Sequence, residues 1–211
     1  MKIAIFDMDG TLIDTQRDIT ASINHVRQVN HNLPPLSTEF VVKAINAHQR
    51  NLAELFYHTP SYEARDKELF EKHYDTQCIQ TPELYEGVEA MLHTLKDAGV
   101  KLAVATNAPS PFAKKMLFHL GVGSLFELIV GADMVTEPKP APLMIEMILE
   151  HLKAPDDAKV WMIGDNSKDM LSAKNAGVQS VFVTWGFSQD GVGDFVVKYP
   201  SELLSHVLDT I

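Results

Sequence analysis

The chain has 211 residues, 45% of them hydrophobic, enough to bury one sizeable core or a core that carries a smaller insertion. Its 18 Lys and Arg against 28 Asp and Glu give a formal charge of −10, which repels nucleic acid and anionic membranes and argues against both as partners. The single Cys78 excludes an internal disulfide and fits a reducing, cytoplasmic setting; a strand expected from residue 2 argues against a signal peptide, and no apolar run reaches the ~18 residues of a membrane span.

Lys2-Ile3-Ala4-Ile5-Phe6 is short and nearly all apolar, which predicts a buried strand of a parallel sheet. It runs into Asp7-Met8-Asp9-Gly10-Thr11, a pair of carboxylates followed by a residue free to turn sharply and by a hydroxyl. An Asp after a strand can be only a helix N-cap or a turn residue. Two of them with Gly-Thr point instead to a ligand site at the strand's carboxyl end, provided the rest of the chain supplies partners.

Asp14 or Thr15 can cap a helix over roughly 16–31, with Ile19, Ile23 and Val26 on one face and Pro34-Pro35 beyond it. Ser37 opens a second helical stretch, Leu52 to Tyr57 a short third, and Ser61 to Cys78 a charged fourth, closed by Thr81-Pro82. The pattern then changes. Helices are expected at 87–98, 110–120, 143–152, 167–176 and 201–210, with Gly99, Gly121 and Gly177 stopping three of them. Between them lie apolar runs at 101–105, 125–130, 160–163 and 180–184, and a possible short strand at 195–197. This alternation predicts an α/β fold, a doubly wound parallel sheet with right-handed crossovers. Residues 1–14 and 83–211 would form that core, and 15–82 an all-helical cap inserted after the first strand, over the strand ends.

Each relevant strand delivers polar groups at its end: Asp7 and Asp9 from the first, Thr106 and Asn107 from the second, Asp165 from the fourth with Asp169 in the next helix. Lys139 follows the third, between Pro138 and Pro140. Carboxylates gathered on one edge repel unless a cation lies among them, and an all-oxygen site suits Mg²⁺. One carboxylate can then attack phosphorus while another moves the proton, with Lys139 and Mg²⁺ neutralising phosphoryl charge and Thr106 donating a hydrogen bond. Gly10, Thr11 and Asn107 at the same strand ends are substrate-binding candidates. Each residue also has a plain structural reading: Thr106 and Asp165 as helix caps, Lys139 as a loop lysine, Asp169 as a surface acid.

These residues resemble the haloacid dehalogenase-like (HAD) hydrolase superfamily. Asp7-Met8-Asp9-Gly10-Thr11 looks like its first motif, Thr106 its second, Lys139 its third, and Gly164-Asp165-Asn166-Ser167-Lys168-Asp169 its fourth. The resemblance implies a Rossmann-like core with the first strand beside the fourth. It makes Asp7 the nucleophile and Asp9 the general acid/base. Mg²⁺ would be held by Asp7, the Asp9 main-chain carbonyl and Asp165, with Asp169 in support. Thr11-Leu12-Ile13-Asp14-Thr15, Tyr85-Glu86-Gly87-Val88, Ala173-Lys174-Asn175-Ala176-Gly177 and Val183-Thr184-Trp185-Gly186-Phe187 look like the phosphoglycolate phosphatase subgroup. The implied activity is hydrolysis of a small phosphorylated metabolite, by a monomer or homodimer. A phosphomutase of the β-phosphoglucomutase type is the alternative, and a non-catalytic phospho-Asp module a further one. Ile45-Asn46-Ala47-His48-Gln49-Arg50 stands where that subgroup usually carries a Gly-rich element, so His48 or Arg50 either meets the substrate's distal group or marks a solvated helix end. His25, His31, His58 and His73 lack metal-ligand spacing and read as surface or cap-packing residues.

Overall fold

The structure is a computed structural model and describes residues 1–47, 51–188 and 190–209. The chain starts with β1 (Lys2–Phe6) and a two-residue strand β2 (Ile13–Asp14), then runs through α1 (Gln16–His31), α2 (Thr38–Asn46), α3 (Leu52–Tyr57) and α4 (Ala64–Gln77). A second two-residue strand, β3 (Glu83–Leu84), pairs with β2. There follow α5 (Val88–Asp97), β4 (Lys101–Thr106), α6 (Ser110–His119), β5 (Leu128–Gly131) and α7 (Leu143–His151). The chain continues through β6 (Lys159–Gly164), α8 (Ser167–Ala176), β7 (Gln179–Val183), β8 (Phe195–Val197) and α9 (Pro200–Leu208).

Six strands make one sheet in the order β5-β4-β1-β6-β7-β8, parallel throughout. β1 lies at the centre, with Phe6 opposite Val104 of β4 and Ile163 of β6. The α/β architecture read from the alternation is the one observed, and the first strand does lie beside the one that delivers Asp165. Side chains alternate across a strand. Ile3 and Ile5 therefore join Ala103, Ala105, Val160 and Met162 on one face, against Met144, Ile145 and Ile148 of α7 and Ala173 of α8. The alternate residues Ala4, Phe6, Leu102, Val104, Trp161 and Ile163 are buried as well. Coverage of both faces is why these strands read as continuous apolar runs rather than alternating ones. α5 packs on β4 and α9, and α9 on β8.

The chain divides into two compact units, Met1–Asp14 with Leu84–Ile211, and Thr15–Glu83. The second has its own core of Ile23, Val26, Val41, Ala44, Phe56 and Tyr57. Several of its buried polar groups are paired, although Thr20 Oγ1 and one oxygen each of Asp18 and Asp66 are buried without a hydrogen-bond partner. Arg27 donates to the carbonyls of Pro34 and Phe56, Asp66 accepts from Asn30 and His31, and Asp18 accepts from Gln77 and Thr81. Buried side chains need such partners, because an unmade hydrogen bond costs about 1–3 kcal/mol there. His31, expected at the surface or packing within the cap, thus also pairs with a fully buried acid.

Three local expectations differ. Thr15 occupies the N-cap of α1 but makes no side-chain cap bond. The charged helix starts at Ala64 rather than Ser61. The strand expected from Leu125 starts at Leu128, because Gly123–Leu125 winds into a 3-10 turn beside the Phe118 ring. Among the described residues, no helix is long and apolar enough to cross a membrane.

Candidate active site

β1 ends at Phe6, and the next peptide still pairs with the sheet: Asp7 N–H donates to the Ile163 carbonyl at 2.8 Å. Beyond it the backbone coils tightly. The Met8 carbonyl accepts from the N–H groups of Thr11, Leu12 and Ile13, and Gly10 N–H returns to the Ile13 carbonyl. Asp9, half-buried, bridges to Ile13 inside this coil. Gly10 has φ +82°, and a Cβ there would sit 2.5 Å from Asp165 Oδ2, so both conformation and space require glycine. The Thr11 hydroxyl is buried without a hydrogen-bond partner, while its carbonyl accepts from Trp185 Nε1 at 3.0 Å.

β6 ends in Gly164, which brings Asp165 and, through α8, Asp169 to the same edge. One oxygen each of Asp7, Asp165 and Asp169 lie within 4.8 Å of one another, and the three residues are 8%, 2% and 1% exposed. Lys139, also buried, puts its ammonium between two of them, 2.6 Å from Asp7 Oδ1 and 2.6 Å from Asp169 Oδ1. Asp169 Oδ2 meanwhile accepts from Asn166 N–H and closes a capping box on α8. Asp169 is therefore not the surface acid of its plain reading: it is 1% exposed, and one oxygen closes the helix cap while the other accepts from the lysine.

Thr106 closes β4, buried, with its oxygen accepting from Ala108 N–H at 3.1 Å. Asn107 directs its side-chain amide to the backbone of Lys139. His48 and Arg50 lie outside the described residues.

The electrostatics follow from the crowding. Burial, reinforced by the charges of Asp7 and Asp169, pushes the Asp165 carboxyl up to about 8, against two backbone N–H groups that favour its anion. Burial raises Asp169 to about 6; Lys139 opposes this, and Asp7 adds to it. Burial alone would depress the Lys139 ammonium, but Asp169 and Asp7 more than reverse that and hold it protonated. One lysine does not balance three buried acids. An all-oxygen carboxylate set with this excess of negative charge fits Mg²⁺, with Asp7 and Asp165 free of the capping duty that engages Asp169.

The sequence reading noted the 183–187 segment but gave it no role. In the structure it holds Asp165. Phe187 N–H and Ser188 N–H donate to Asp165 Oδ2 at 2.7 and 3.2 Å. Gly186 lies against the Gly10 carbonyl, where a Cβ would come within 2.0 Å, and against Asp165 Oδ2, within 2.6 Å. The signal available in the sequence was a Thr-Trp-Gly-Phe run directly after a strand of the same sheet. Gly186→Ala is expected to destabilise the fold by about 1–3 kcal/mol by overpacking. Denaturant melts check this, and a wild-type midpoint would show that the loop can move aside.

Residues 4–183 match the family model described as haloacid dehalogenase-like hydrolase. A phosphoglycolate phosphatase of Aquifex aeolicus is 31% identical, over 97% of this chain and 95% of its own length. An N-acetylmuramic acid 6-phosphate phosphatase of Pseudomonas aeruginosa is 30% identical, over 99% of this chain and 95% of its own. In fold, the crystal structure of a predicted phosphoglycolate phosphatase from Haemophilus somnus superposes with a TM-score of 0.82 at 23% identity, covering 98% of this chain and 97% of that one. The chain belongs to the haloacid dehalogenase-like hydrolase family and is an enzyme of its phosphatase branch.

Proposed function

We propose that this phosphatase is Mg²⁺-dependent and hydrolyses a small phosphomonoester through an aspartyl-phosphate on Asp7. The observation that carries this reading is the Lys139 ammonium held between Asp7 and Asp169, beside Asp165, at the carboxyl end of the central strand.

An Asp7 oxygen attacks phosphorus, and the bond from phosphorus to the substrate's ester oxygen breaks as Asp9 protonates that oxygen. Asp9, now ionised, takes a proton from water; the water oxygen attacks the phosphoryl group, releasing inorganic phosphate and restoring Asp7. Lys139 carries positive charge next to the nucleophile, and the Thr106 hydroxyl donates to a phosphoryl oxygen. Gly10, Thr11 and Asn107 border this position. Mg²⁺, held by Asp7, Asp165 and the Asp9 main-chain carbonyl, would offset the charge of the phosphoryl oxygens. Asp169 supports the site by orienting Lys139.

In this reading residues 15–82 act as the cap, and substrate choice falls to them. The names of the two relatives point to phosphoglycolate and to N-acetylmuramic acid 6-phosphate, both phosphate esters that also carry an acid group, and very different in size. We assign the substrate to that class, a small phosphorylated acid in the cytoplasm.

The test is phosphate release from a panel of phosphorylated acids, sugars and nucleotides, with Mg²⁺ and with chelator, coupled to acid quenching and peptide mass analysis. Expected are activity only with Mg²⁺ and a phosphoryl adduct on the Asp7 peptide. Chelator-insensitive turnover, or phosphate moved to another position of the substrate instead of released, would overturn the reading.

A further inference from the structure

Asn107 follows β4 directly and is exposed. Even so, both ends of its amide are committed to the backbone of one residue, Lys139. Nδ2 donates to the Lys139 carbonyl and Oδ1 accepts from the Lys139 N–H, each at 3.0 Å. This is the exchange that a paired strand would make, and it fixes both the place and the direction of the Lys139 backbone.

That backbone has few other means of support. Lys139 lies outside every helix and strand. Pro138 and Pro140 on either side carry no N–H to donate. A second tie comes from α8, where Asn175 Nδ2 donates to the Pro140 carbonyl at 2.9 Å. The lysine stem is long and flexible, with several rotatable bonds between its backbone and its charge. Asp7 and Asp169 hold the ammonium end; without a fixed backbone end, the same bonds could be met over a range of stem conformations.

We propose that Asn107 is a positioning residue: it clamps the Lys139 peptide so that the ammonium is delivered to Asp7 and the transferring phosphoryl group, and it does not itself bind substrate. The proposal rests on the role given to Lys139 above. Its chemical basis is that a misplacement of about 1 Å in a reacting group can cost on the order of 10²-fold in rate. The amide of Asn107 is matched to this task because it carries an N–H donor and a carbonyl acceptor side by side, as a backbone residue does.

The experiment combines Asn107→Ala, Asn107→Asp, Lys139→Ala and the Asn107→Ala/Lys139→Ala double variant in steady-state kinetics, with amide hydrogen exchange read at residue 139. Asn107→Ala is expected to lower kcat by about 10–100-fold, with KM changed less than about threefold for substrates of different size. Exchange at the Lys139 amide should speed up. Asn107→Asp keeps the acceptor and loses the donor, so its effect should be smaller and in the same direction. In the Lys139→Ala background, Asn107→Ala should cost less than about a further threefold, since a clamp with nothing to position has no effect. Full multiplicative losses, or a KM that rises for some substrates and not others, would make Asn107 a substrate contact and overturn the proposal. Wild-type turnover in Lys139→Ala would instead remove Lys139 from the mechanism; exchange at residue 139 would still report whether the clamp exists.

Discussion

Replacing Asp7 by asparagine is expected to lower turnover by about 10⁴-fold or more, since a neutral amide does not replace a carboxylate as a nucleophile toward phosphorus. The substitution is nearly isosteric. The backbone bond from residue 7 to Ile163 needs only the peptide, so the end of β1 stays in place. Asp165 and Asp169 each lose a like-charged neighbour that raises their carboxyls. The amide that replaces the carboxylate can still accept from Lys139 through its oxygen. The variant should therefore fold and melt close to wild type while forming no phosphoenzyme. Phosphate release and mass analysis of the quenched protein check this; wild-type-like turnover would remove Asp7 as nucleophile.

Lys139→Ala is expected to damage both activity and stability. It deletes the cation beside Asp7, a loss of order 10²–10³ in kcat for a preorganised charge-stabilising group. It also strands buried acids, and breaking a buried ion pair by removing one partner costs about 3–5 kcal/mol. The pH dependence identifies the cause. Burial first, and then neighbouring carboxylates, push Asp165 up to about 8 and raise Asp169 above the ordinary 3.8. A carboxyl whose pKa is raised by folding binds its proton more tightly in the folded state, so stability is gained as pH falls through that window and lost as pH rises. Lys139 works against the rise at Asp169, and its removal extends the unfavourable window. In chelator, the deficit of Lys139→Ala should thus be largest near about pH 8 and shrink toward about pH 5. An equal deficit at both would mean that lost packing, not charge, is responsible.

How far the molecule was legible in its sequence depended on whether residue type carried the information. β1, β4 and β6 were readable because a strand covered on both faces must be apolar at successive positions. Gly99 and Gly177 marked helix ends because both adopt positive φ. Asp7, Asp165, Asp169 and Lys139 were readable as a set because their charges make little sense apart. The rest was hidden for a common reason. Phe187 and Ser188 hold Asp165 through backbone N–H groups, which every residue but proline possesses, so only Gly186 left a trace. The pairing of Asn107 with the Lys139 peptide crosses 32 positions and looks in sequence like any polar residue after a strand. β2 and β3 are too short to have a period at all.

The central place of β1 has a consequence for how the molecule reaches its working state. Asp7 directly follows β1, yet the strands that flank β1 in the sheet begin at Lys101 and Lys159, and the loop that steadies Asp165 extends to Ser188. The N-terminal strand must wait for partners that emerge much later from the ribosome, and such long-range parallel pairing forms slowly. The site is thus among the last things the core completes. Turnover should rise during refolding only after helical signal has recovered, which makes catalysis a more stringent reporter of the finished topology than spectroscopy.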